Sequence, residues 1–206
     1  MIEDALAPFL GTWTLMMAAM MLPSAAPTVL LHRLGADGAG VAREVRPAVF
    51  VARYLLVWGS VGIAVWGAAR AAEQVVSHEA RPAAIAAVLL VAGIYQLTPL
   101  KSVCLRACRT PADFLLTHWY RGLSGSFRTG VEHGLYCLGC CWALMAVFVA
   151  AGSMSLVWAV VIAAAVFVEK IAPRGVAFGR VMGVVLVALA ALVLLRPELA
   201  GTTGGM

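Results

Sequence analysis

Six apolar stretches, each about long enough to cross a lipid bilayer, follow one another along this chain with only short loops between them. That pattern constrains the fold more than any motif does. A spanning helix needs about 20 apolar residues and must satisfy all its backbone hydrogen bonds internally. Spans near residues 8–31, 47–70, 83–106, 128–151, 153–171 and 175–196 use up almost all of the 206 residues. The expected fold is therefore an all-α membrane protein, a bundle of six transmembrane helices forming a single domain over residues 1–200. Residues 201–206 read as a disordered tail, and Pro99 breaks span three. Hydrophobic residues make up 63% of the chain and charged residues 12%, against roughly 45–50% and about 25% in an ordinary soluble domain. That balance excludes a soluble enzyme, a disordered regulator and a disulfide-stapled secreted module.

The net charge of +5 is explained by topology rather than by nucleic acid, since no basic stripe interleaved with aromatic residues is present. Loops after spans one, three and five hold Arg33, Arg43, Arg46, Arg53, Lys101, Arg106, Arg109, Arg121, Arg128, Lys170, Arg174 and Arg180. The opposite side holds Arg70, Arg81 and Arg196. Twelve cations against three make the first side cytoplasmic and put both termini outside the cytoplasm. The expected location is the bacterial inner membrane, multi-pass. Glu3 and Asp4 stand where a cleavable signal peptide would carry basic residues, so span one is expected to be retained.

Sulfur is concentrated in three segments. Span one contains Met16, Met17, Met20 and Met21. At 100° per residue these fall with Trp13 and Ser24 in a sector of about 140°. Span four contains His133, Cys137, Cys140 and Cys141, which share a sector of about 100°. Counted from Arg128, Cys137 lies roughly 14 Å into the membrane, and the Met cluster reaches a similar depth from its own end. Span three ends with Cys104 and Cys108 on one face, beside Lys101, Arg106 and Arg109, at the expected cytoplasmic rim. All five cysteines thus fall within 38 residues of sequence, a clustering that scattered packing filler would not produce.

The Met-Met-Ala-Ala-Met-Met core at 16–21, the Cys-x3-Cys of Cys-Leu-Arg-Ala-Cys and the Cys-x2-Cys-Cys of Cys-Leu-Gly-Cys-Cys-Trp resemble a bacterial family. That family groups predicted metal-binding integral membrane proteins of unknown function, and the resemblance covers essentially the whole chain. It implies metal binding through these Cys and Met motifs and names no substrate.

Thiols and thioethers at one depth select soft ions, copper(I) foremost, whereas zinc prefers Cys and His without Met and hard ions need oxygen. Cys137, Cys140 and Cys141 are the expected core ligands, faced by Met16 and Met20 or by Met17 and Met21. Cys104 and Cys108 would exchange the ion with the cytoplasm, and His133 is a further candidate. The expected partners are the lipid bilayer, the metal ion, and a soluble metal chaperone or membrane protein. Zinc, or no metal, remains open at this point. So does a thiol-disulfide oxidoreductase relaying electrons through Cys137/Cys140 and Cys104/Cys108, or a structural partner subunit. No Ser-His-Asp set, phosphate loop or H-E-x-x-H helix supplies hydrolytic chemistry, and no nucleotide motif supports a lone ATP-driven pump. Of the remaining polar groups, Glu132 is expected to pair with Arg128 or Lys101. Glu169 and Lys170 mark the end of span five. The break at Pro99 either kinks the bundle or opens an ion route lined by Gln96, Thr98 and Lys101. His32, His78 and His118 are read as loop residues.

Overall fold

A computed structural model describes residues 5–35, 41–150 and 156–196; the tail expected at 201–206 lies outside the described residues. Among these, the chain is all helix: α1 (Leu6–Leu34), α2 (Val41–Val75), α3 (Arg81–Leu97), α4 (Pro99–Arg109), α5 (Pro111–Thr117), α6 (Gly122–Ala150), α7 (Leu156–Ile171) and α8 (Gly175–Leu195). Four of them, α1, α2, α6 and α8, are long and apolar enough to cross a membrane. The α3–α4 pair meets the same criterion jointly but bends by 67° at Thr98. At 16 residues, α7 is shorter than a full crossing requires.

Each expected span has a helix at its position, with two differences. Helix α1 runs a few residues beyond the expected span at each end, without interruption at Pro23 or Pro27. The short α5 was not expected at all. Its start is set by Pro111 in the first turn, where the missing N–H is not needed.

The break in span three has a local cause. Pro99 disfavours helical geometry at the residue before it, and Thr98 is accordingly extended, with φ −74° and ψ 150°. The Thr98 hydroxyl accepts from the Lys101 amide at 3.3 Å, capping α4, and donates to the Tyr95 carbonyl at 2.7 Å, closing α3. The chain turns here and restarts rather than kinking.

Helix α6 is the centre of the bundle, packing against α2, α3, α4 and α7. Gly130 permits its close approach to α2: a methyl group there would meet the Phe50 backbone. Opposite, α3 pairs with α8, and α1 packs on α2 and α7. A buried cluster fills the interior and includes Phe9, Trp13, Tyr54, Trp58 and Phe148 together with Met17, Met20, Met21 and four of the five cysteines. The Trp13 indole donates to the Trp58 carbonyl at 2.9 Å, tying α1 to α2.

Candidate metal centre

Cys137, Cys140 and Cys141 lie on the buried face of α6, at most 2% exposed. Three- and four-residue spacing on a helix keeps them on one stripe. Cys108 comes from α4, which the 67° bend lays against α6. Its sulfur is 3.8 Å from that of Cys140. The sulfurs of Cys108, Cys137 and Cys140 all lie within 4.8 Å of one another, and all three residues are buried. Such a group can close on a single ion with a small adjustment of side chains.

The three sulfurs carried by α6 are not equivalent. Cys140 and Cys141 each point a thiol at the Cys137 carbonyl, at 3.1 and 2.9 Å. The Cys137 sulfur instead meets the Tyr54 hydroxyl at 3.0 Å and the Lys170 ammonium at 3.1 Å. Lys170 also donates to the Ser24 hydroxyl at 3.0 Å, and Ser24 donates to the Met21 carbonyl at 2.8 Å. Four helices therefore converge on one thiol: α6 carries it, and α1, α2 and α7 supply the groups around it.

The expected rim pair is divided by the structure. Cys108 belongs to the buried cluster with Cys137 and Cys140, because the bend at Thr98 turns α4 inward over α6. Cys104, one turn earlier, is half-buried and sits over Gly139, where a methyl group would come within 2.7 Å of its sulfur. Neither Cys104 nor Cys141 joins the three-sulfur group. Met17, Met20 and Met21 are buried in the same core as the cysteines, while Met16 lies at its edge. His133 does not join the three-sulfur group; it is buried among the rings of Phe50, Tyr54 and Phe114, with its Nδ1 unpartnered among the described residues.

The remaining polar residues differ more from expectation. Glu132 pairs with Arg128 at 2.9 Å, one of the two partners anticipated. Glu169 and Lys170 lie in the last turn of α7, at the end expected of span five, but they are buried, 1% and 5% exposed. Glu169 accepts from Lys101 at 2.7 and 2.8 Å and from Gln96 at 3.1 Å. Gln96 and Lys101 thus both bind one carboxylate and Thr98 caps α4, so these residues brace the break. Arg109 adds a second tie between α4 and α7 by donating to the Ala172 carbonyl at 2.7 Å and to that of Glu169. His32, read as a loop residue, is fully buried and hydrogen-bonded to Ser126 at 3.0 Å.

A family model described as "PpoB2: Copper chaperone" matches residues 10–193. No curated protein and no solved structure matches the chain.

Proposed function

The chain belongs to the PpoB2 copper-chaperone family, and from that premise we propose that it holds a copper(I) ion on Cys108, Cys137 and Cys140 inside a membrane-embedded helical bundle. The observation that carries this reading is the approach of three buried sulfurs to within 4.8 Å from two separate helices. Soft sulfur donors without carboxylates favour Cu(I) over hard ions. Met17, Met20 and Met21 supply thioethers on the α1 side, and Cys104 and Cys141 are reserve thiols beside the set. His133 is assigned to packing. A protein of this kind passes its ion on, to a soluble carrier or a membrane partner.

The bundle is proposed to lie in the bacterial inner membrane with six crossings, the short α7 and the bent α3–α4 pair each counted as one, and with both termini outside the cytoplasm. The apolar α1, α2, α6 and α8 and the bias of Arg and Lys toward one set of loops support that orientation.

Metal analysis of protein purified anaerobically under reducing conditions and supplied with Cu(I) tests the site. About one copper per chain is expected, lost when Cys137 or Cys140 is changed to Ser. The 3.8 Å approach of Cys108 and Cys140 favours one second reading, dithiol–disulfide chemistry between α4 and α6. In that reading the pair crosses two helices, since neighbours on one regular helix are poorly placed for a bridge. A copper-free parent that forms a reversible Cys108–Cys140 disulfide would replace the first reading with the second.

A further inference from the structure

Two lysines are buried in this bundle, and they are neutralised differently. Lys101 faces both oxygens of Glu169. Lys170 is the very next residue after Glu169 on α7, and the turn of about 100° between neighbours sends it the other way, toward α1 and α6. There it meets no carboxylate among the described residues. Its partners are the Ser24 hydroxyl, which is neutral, and the Cys137 sulfur. An ammonium group withdrawn from water needs a counter-charge, and the sulfur is the one group in contact with it that can carry a negative charge.

We infer that Lys170 is the fixed counter-charge of the copper ligand set, a positioning residue that acts on the ion through Cys137. This rests on the copper reading given above. Metal ions bind cysteine as thiolate. A Cu(I) ion on the thiolates of Cys108, Cys137 and Cys140 carries a net charge of −2, and one ammonium within hydrogen-bond distance of Cys137 halves it to −1. In a core lined by Met17, Met21, Tyr54 and Phe148 that reduction matters, because an unbalanced charge there is strongly disfavoured. The lysine is not itself a ligand. It lies against a neighbouring ligand at 3.1 Å, offsets the charge of the ligand set and aims that sulfur, as outer-shell groups do at other metal sites.

The test is Cu(I) affinity, read by competition against a chromophoric Cu(I) chelator on the full chain in lipid nanodiscs, for the parent, Lys170→Met and Lys170→Arg. Lys170→Met keeps the length and removes the charge; a loss of about 10–100-fold is expected. Lys170→Arg keeps the charge and should stay within about threefold of the parent. A purely space-filling role predicts the reverse order, with Met tolerated and the bulkier Arg not. Should Lys170→Met fail to fold, Lys170→Gln, which retains a donor for Ser24, makes the same comparison. Affinity unchanged by loss of the charge, or Arg as weak as Met, overturns the inference while leaving the copper site standing. A parent that binds no Cu(I) at all removes both.

Discussion

At Glu169 one carboxylate accepts hydrogen bonds from Lys101 and Gln96, under a roof formed by Gly179, whose missing side chain would lie 3.1 Å from its Oε1. Both charges of the ion pair are nearly inaccessible, so removing either leaves the other buried and uncompensated. Glu169→Ala should therefore cost about 3–5 kcal/mol, seen as a lowered thermal unfolding midpoint. The paired replacement of Lys101 and Glu169 by Met and Leu should recover most of that loss, because no charge is then stranded. A midpoint unchanged in Glu169→Ala would contradict the burial of the pair. Cys137 shows what sequence reasoning can and cannot reach at this scale. Its place on an inward stripe follows from 100° arithmetic, but the lysine beside it does not. Lys170 stands 33 residues away on another helix, next to a charged residue, where adjacent charges usually mean a solvated helix end. Only the packing of α1, α6 and α7 distinguishes the two cases.

Helix α4 decides which sulfurs meet. Pro99 was legible as a break, and Cys104 and Cys108 as one face; the direction of the bend was not. A 67° turn carries Cys108 toward Cys140 instead of leaving it at the rim, and nothing in the local composition sets that angle. It is set by contacts distant in sequence, Lys101 with Glu169 and Arg109 with the carbonyls of Glu169 and of Ala172 just past α7. Thr98→Ala removes the α4 cap and should destabilise the chain by about 1 kcal/mol. It should also loosen Cys108, measured as faster alkylation of that thiol in the folded protein; an unchanged rate would mean that the cap does not hold α4 in place. The α2–α6 contact is equally specific. Gly130→Ala sets a methyl against the Phe50 backbone, which cannot swing aside as a flexible side chain would, and should cost about 1–3 kcal/mol. A melting midpoint equal to that of the parent would show that the two helices are less close than this.

Across the whole molecule, the positions of the long helices were legible because continuous apolar stretches of about 20 residues permit few alternatives. Arg46, Lys101 and Lys170 were counted as loop charges, since a count by side cannot see that all three are buried. The remaining Arg and Lys still favour the same side. The orientation is checked by single cysteines introduced at the exposed Arg81 and Arg174, in a variant whose native cysteines are replaced. A membrane-impermeant maleimide should label position 81 in intact spheroplasts and position 174 only after lysis; the opposite pattern would invert the topology. The central claim, that this bundle exists to hold copper on sulfur, is met most directly by X-ray absorption at the copper edge of the Cu(I)-loaded protein. The account predicts a first shell of three sulfur atoms with no nitrogen or oxygen, and loss of the bound copper when Cys137 is replaced by Ser. A shell dominated by nitrogen or oxygen, or one indifferent to Cys137, would contradict it.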